Sequence, residues 1–400
     1  MFRSTCLAAL FVFVSAFAQP SKPILVLISF DGFRADYFDR IPTPNLHALA
    51  ENGVRARALI STFPTKTFTN HYTIATGLYP AHHGIISNTM FDPEWNATFS
   101  RTRSTVKEGR WYGGEPIWET AEALGHIAAS YNWPGSEAPV NGKFQRYWKP
   151  YENDFPSTQR VDTVLAWIDQ PESKRPTCIT LYVEHLDEVG HDFGPDALQT
   201  VAAVQYVDSL AGRLTAGLRK RNLELSVNLI FVSDHGMTQL SPDRLIYLNE
   251  ILDSTEARVV DWSPALALIP APGKEETVYE KLKKASTHWQ VYRKNEIPER
   301  YHYRENRRIT PILAVADDGW FTVASRKQVQ NRRFQFGNHG YDPELVSMYG
   351  LFVAAGPAFK SGVVIDRLEN IHLYELMCKI LALKPAKNDG NLERVKNILK

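Results

Sequence analysis

Short, nearly continuous apolar runs bounded by polar residues or glycine recur along the chain, at residues 23–30, 177–183, 225–232 and 346–354. Such runs lack the alternation of a half-exposed strand and predict strands buried on both faces, as in a parallel sheet. Between them the apolar positions return every three to four residues. This spacing predicts helices over residues 45–52, 68–76, 120–128, 160–168, 195–219 and 372–383. Strands alternating with helices imply an α/β fold with a mostly parallel central sheet covered by helices on both faces. The stretch from about 249 to 320 breaks this rhythm, being rich in Lys, Glu, Pro and aromatics. It reads as a small inserted subdomain of two or three short strands capping one end of the sheet.

Composition narrows the picture. The apolar fraction of 44% supports a large core, and 45 Lys and Arg against 44 Asp and Glu leave a net charge of +1. A balanced surface gives no reason to expect a nucleic-acid polymer as partner. At the start, Arg3, an apolar run over residues 6–17 and Ala16-Phe17-Ala18 before Gln19 make the three-part pattern of a secretory signal over residues 1–18. The run is shorter than the ~20 residues of a membrane span, so no stable membrane anchor is expected after cleavage. Residues 19–400 then form one domain. Cys178 and Cys378 lie far apart in sequence and read as small buried apolar groups. Asn96-Ala97-Thr98 is a single glycosylation match of the kind that chance supplies. Export with so few cysteines suits a periplasmic or secreted protein of bacterial type.

Candidate chemistry lies in five short motifs: Ser29-Phe30-Asp31-Gly32, Pro64-Thr65-Lys66-Thr67-Phe68, Asp187-Glu188-Val189-Gly190-His191, Ser233-Asp234-His235-Gly236 and Gly337-Asn338-His339-Gly340. Asp31, Asp187 and Asp234 each fall just beyond an expected strand, where open α/β sheets place their sites. Asp187 and His191 are four apart and share a helix face. Adjacent Asp234 and His235 reach one ion only if the backbone turns sharply, which Gly236 permits. Singly, these motifs read as turns, a solvated pair and a loop histidine, and Thr67 reads as a helix N-cap. Together Asp31, Thr67, Asp187, His191, Asp234, His235 and His339 offer three carboxylates, three imidazoles and a hydroxyl, a mixed N/O set suited to zinc. Lys66 supplies charge beside Thr67 or is simply solvated.

The order, spacing and flanks of these motifs resemble the nucleotide pyrophosphatase/phosphodiesterase branch of the alkaline phosphatase superfamily, from about Ile24 to about Leu383 and most specifically over residues 64–88. Thr69, where many relatives carry proline, and Glu184-His185-Leu186 before Asp187 depart from the pattern. The resemblance implies an alkaline-phosphatase-like fold and a single phosphodiesterase domain holding two zinc ions. Asp187, His191 and His339 would hold one ion, and Asp31, Thr67, Asp234 and His235 the other. It further implies Thr67 as nucleophile through a phospho-threonine, and Asn88 as donor to a phosphoryl oxygen. Phe68, Trp133 and Tyr151 would line a base pocket, with Glu115 and Glu184 at its rim. The matched motifs add no arginine or third metal for a dianionic monoester, and neutral Asn88 suits a diester. The expected reaction is hydrolysis of nucleotide phosphodiester or phosphoanhydride bonds, releasing a nucleoside 5′-monophosphate. A phospholipid-headgroup or other alkyl phosphodiesterase is the alternative within enzymes. A catalytically silent extracellular binding module is the alternative outside them, and the intact Thr67 and ligand set count against it.

Overall fold

The computed structural model describes residues 22–152, 155–285, 288–330 and 334–400. The expected signal segment lies outside the described residues. Among those described, no helix is long and apolar enough to cross a membrane.

In chain order the first six strands are β1 (Ile24–Phe30), β2 (Val54–Ile60), β3 (Ala128–Tyr131), β4 (Tyr147–Lys149), β5 (Cys178–Val183) and β6 (Val227–Val232). A second sheet follows, made of β7 (Ala257–Asp261), β8 (Ala265–Pro270), β9 (Trp289–Arg293) and β10 (Ile312–Ala316). The chain then returns to the first sheet with β11 (Gly350–Ala355) and β12 (Val363–Glu369). The main sheet is ordered β12-β2-β11-β6-β1-β5-β3-β4. Seven of its eight strands run the same way, and only β11 runs against its neighbours β2 and β6.

The main helices are α1 (Pro44–Glu51), α2 (Thr67–Thr76), α3 (Ile117–Ala123), α4 (Ser157–Ile168), α5 (His185–Phe193), α6 (Leu198–Arg219), α7 (Glu275–Ala285) and α8 (Leu373–Ile380). Both faces of the sheet are covered, as β1 illustrates. Val26, Ile28 and Phe30 join a core with α1, α4 and α6, whereas Leu25 and Leu27 join one with α2, α3 and α8. This is the period-two alternation of a strand buried on both sides.

Three expectations change. The run at residues 346–354 forms a strand only from Gly350, and it is antiparallel. Burial on both faces gives β11 the composition of a parallel strand, but its direction is set by where the chain enters the sheet. It enters at the carboxyl end, beside Phe33, whose carbonyl accepts from Leu351 N–H at 3.1 Å. The helix expected at 120–128 begins earlier, at Ile117, and stops before Gly125, whose φ is +80°. Residues 128–131 are instead β3, whose alanines carry no strand signal. The insertion holds four antiparallel strands in the order β7-β8-β10-β9, with α7 packed on one face through Val278, Tyr279 and Leu282. Ala265, Leu313 and Val315 on the other face merge with the main core, so this sheet is anchored to the body.

Candidate active site

The carboxyl ends of β1, β5 and β6 lie side by side at the centre of the sheet, which brings Asp31, Asp187 and Asp234 together. Asp31 follows β1 directly, and Gly32 turns the chain with φ +69°. A Cβ on Gly32 would lie 3.1 Å from Asp187 Cα and 3.2 Å from Asp187 Oδ1, so glycine allows both the turn and the approach. Asp187 sits in the first turn of α5, with His191 one turn later and Nε2 3.4 Å from Asp187 Oδ2. Gly236 has ordinary backbone angles, and its role is contact rather than a left-handed turn. A Cβ there would lie 2.2 Å from the Ser347 carbonyl.

Two triads result, Asp187–His191–His339 and Asp31–Asp234–His235, with the ligand atoms of each within 4.8 Å of one another. Their His235 and His339 rings stack at 3.4 Å between centroids, so the triads adjoin. All three histidines are held alike. Nδ1 donates to a backbone carbonyl in each case: His191 to Gly337 at 2.9 Å, His235 to Gly236 at 2.9 Å and His339 to Thr65 at 2.8 Å. That fixes the tautomer with the Nε2 lone pair facing the carboxylates, as metal-binding imidazoles require.

The remaining polar atoms are in conflict without a cation. Asp31 Oδ1, Asp187 Oδ1, Asp234 Oδ2 and His235 Nε2 are buried with no hydrogen-bond partner, a costly arrangement. Burial, then the Asp234 and Asp187 carboxylates, push the Asp31 carboxyl well above its usual range, against a 2.5 Å hydrogen bond donated by Tyr182. Burial would raise Asp234 too, but His235 and His71 hold it well below the carboxylate range. Burial, followed by His235 and His191, pushes His339 well below the imidazole range. Divalent cations between these groups would supply the missing partners and relieve the carboxylate repulsion. The donor set therefore fits metal.

Thr67 opens α2 beside the triads and is buried at 3% exposure. Lys66 before it is extended, and α2 closes at Gly77 with φ +65°. The Phe68 N–H donates to Asn88 Oδ1 at 2.9 Å, leaving the Asn88 Nδ2 hydrogens to donate elsewhere. A threonine hydroxyl, a helix N-terminus and two cation-ready triads thus lie close together.

A family model described as "Type I phosphodiesterase / nucleotide pyrophosphatase" matches residues 25–342 of this chain. The chain belongs to that family. A venom phosphodiesterase of Crotalus durissus collilineatus is 40% identical over 386 residues, 94% of this chain and 46% of the snake protein. Human ectonucleotide pyrophosphatase/phosphodiesterase family member 5 is 37% identical over 398 residues, 99% of this chain and 82% of that protein. This chain thus spans about half the length of the venom relative and most of the human one. Murine ectonucleotide pyrophosphatase/phosphodiesterase 5, solved as an inactive threonine-to-alanine variant in complex with AMP, superposes with a TM-score of 0.91 at 37% identity. That superposition covers 95% of this chain and 100% of the murine one. The mostly parallel sheet clad by helices is the alkaline-phosphatase-like fold of this phosphodiesterase family.

The outlying pocket candidates separate in the structure. Phe68 is half-buried, edge-on to Phe99. Tyr151 is 42% exposed, and burial, then Glu184 and Glu188, push its phenol up to about 12. Trp133 is wholly buried, its Nε1–H donating to the His71 carbonyl at 3.1 Å and its ring edge-on to His71. With no open face it cannot stack on a ligand. Both Glu184 oxygens accept from Arg160, at 2.5 and 2.7 Å, so this carboxylate braces α4 against β5. Glu115 accepts from Thr120 Oγ1 at 2.7 Å near the far end of α2, where its neighbour Gly114 packs on Leu78 and Thr76. Ten residues of helix put that end ~15 Å from Thr67.

Other residues of the site are given no role by the sequence motifs. Tyr182 reaches Asp31 from inside β5, and Thr65 aligns His339. His71 lies between Ser29 Oγ and the Thr67 carbonyl, 2.8 and 2.9 Å away. A tyrosine within an apolar run looks like any strand residue, and nothing local marks the Thr65 carbonyl as the acceptor of a distant histidine. Lys66 is not solvated: it is buried, with Nζ 2.6 Å from Asp261 Oδ2.

Proposed function

We propose that this chain is a two-zinc nucleotide pyrophosphatase/phosphodiesterase that cleaves phosphodiester or phosphoanhydride bonds of nucleotides through a phospho-threonine and releases a nucleoside 5′-monophosphate. The carrying observation is the pair of adjoining triads, with their unpartnered buried oxygens, at the N-terminus of the helix that begins with Thr67. Asp187, His191 and His339 would hold one zinc, and Asp31, Asp234, His235 and Thr67 the other. Zinc bound there supplies Lewis acidity that lowers the pKa of a hydroxyl and offsets phosphoryl charge.

The chain's own groups do the rest. The Thr67 Oγ1 attacks phosphorus as the bond from phosphorus to the leaving oxygen breaks, and the hydroxyl proton passes by way of water to the leaving oxygen. The Thr67 N–H and Asn88 Nδ2 donate to a nonbridging oxygen, where charge builds in the transition state. Water then splits the phospho-threonine and frees Thr67 as the hydroxyl. Phe68 and Tyr151 supply stacking surface for a base, and the AMP complex of the murine relative supports a nucleotide as the substrate class. The location proposed is outside the cytoplasm, periplasmic or secreted, from the signal pattern at residues 1–18.

The test is replacement of Thr67. Thr67→Ala should reduce cleavage of a dinucleoside polyphosphate to background, with metal content unchanged, while Thr67→Ser keeps part of it. Parental turnover by the alanine variant would make water the first nucleophile. Cleavage of choline phosphodiesters in preference to nucleotides would move the substrate class to alkyl diesters.

A further inference from the structure

We propose that Asp261, on the second sheet, is a positioning residue for the phosphoryl-transfer site, acting on both Thr67 and Asn88 through the residues that precede them. The proposal rests on the roles just given to those two residues.

Asp261 Oδ2 takes two bonds at once. Lys66 Nζ lies 2.6 Å from it, and Ser87 Oγ donates to the same oxygen. Lys66 immediately precedes Thr67, and Ser87 immediately precedes Asn88. One carboxylate therefore fixes the two segments that carry the nucleophile and the phosphoryl-oxygen donor, and the Phe68-to-Asn88 bond ties the same two segments together. The other oxygen, Oδ1, accepts from the Trp262 N–H at 2.9 Å, which limits rotation of the carboxylate.

The second sheet is shaped for this. The β7–β8 ladder shifts register between Val259 and Asp261. A bulge of this kind re-aims a side chain, and such bulges cluster beside active sites. The ion pair is also well enclosed, with side-chain exposures of 7% for Lys66 and 14% for Asp261. Enclosure makes it a firmer constraint than a surface pair. A Cβ on Gly340 would lie 3.1 Å from Lys66 Cε and from Pro264 Cδ, so the His339 loop closes over the same lysine stem. Lys66 itself is thereby engaged with Asp261 and serves as a link. Misplacement by about 1 Å at a reacting group costs up to ~100-fold in rate, and this linkage governs two such groups.

The measurement is steady-state kinetics of Asp261→Asn, Asp261→Ala, Lys66→Met and the Lys66→Met/Asp261→Ala pair on a small aryl phosphodiester, with zinc content and thermal midpoint recorded for each. Asp261→Ala should lower kcat roughly 10- to 100-fold, with KM within about threefold and zinc content and midpoint at parental values. Asp261→Asn, which keeps an acceptor for Ser87 without the charge for Lys66, should fall between. The double variant should be no slower than the slower single variant, because both break one linkage. Parental kcat in Asp261→Ala, multiplicative losses in the double variant, or a loss that follows zinc content or midpoint would each overturn the proposal. Thr67→Ala in the same assay separates the two readings. If it is inactive while Asp261→Ala is unimpaired, only the positioning role fails. If it is active, the phospho-threonine reading fails.

Discussion

A ring can stack on a base only through an open face, and by that criterion Tyr151 and Trp133 differ although both sit among aromatics in the sequence. Tyr151 is 42% exposed, whereas Trp133 is closed in against His71. Binding energy from a remote base adds to transition-state stabilisation without touching phosphorus. Tyr151→Ala should therefore lower kcat/KM for a nucleotide by roughly five- to a hundredfold, the equivalent of ~1–3 kcal/mol of stacking, and barely change that for an aryl diester without a base. Equal losses on the two substrates would make Tyr151 a structural residue. At this scale the metal ligands were legible and the pocket was not. Asp31, Asp234 and His235 are marked by strand ends and glycines, which local sequence records. Whether Trp133 or Glu184 faces solvent is decided by distant partners such as His71 and Arg160, which no local pattern reveals.

Among elements, the hairpin Thr89–Asp92 and Ala97–Ser100 leaves directly from Asn88 and is clamped to the segment between β9 and β10. Asp92 is buried and accepts from Arg307 Nη2 at 2.9 Å and from Arg308 Nε at 2.8 Å. Burial alone would raise its carboxyl, but the two guanidinium groups hold it down to about 2. A carboxyl depressed in the folded state contributes stability that is complete above its unfolded pKa, ~3.9, and is lost as pH falls from there toward 2. Denaturant unfolding should show that clamp as about 2 kcal/mol lost across this window, and the loss over the same window should be smaller by that amount in Asp92→Asn. An unchanged acid limb in the variant would show that Asp92 is not the titrating group. Sequence periodicity found most helices but not the direction of β11. Direction depends on the chain arriving from the His339 loop at the carboxyl end of the sheet, and an apolar run carries no sign of it.

At the scale of the molecule, three carboxylates and three imidazoles converge in two adjoining, mostly buried triads, and metal that relieved their mutual conflict would stabilise the fold as well as serve the proposed chemistry. Chelation should abolish activity and lower the thermal midpoint, and Zn²⁺ should restore both with about two ions per chain, as a two-metal site requires. Full turnover by metal-free protein would exclude the proposed chemistry.

The place of β11 in the sheet also sets a schedule for synthesis. It leaves the ribosome after every other strand of the main sheet except β12, yet it lies between β2 and β6, and β12 joins the sheet only through β2. Until residue 355 has emerged, β2 has no bonded neighbour in this sheet, and His339 has only just been delivered. The closing of the sheet and the completion of the Asp187–His191–His339 triad thus belong to one late event of high contact order. A nascent chain halted before it would hold an unpaired β2 and an incomplete candidate metal site, so the growing polypeptide would complete that site only once residues through 355 had been made.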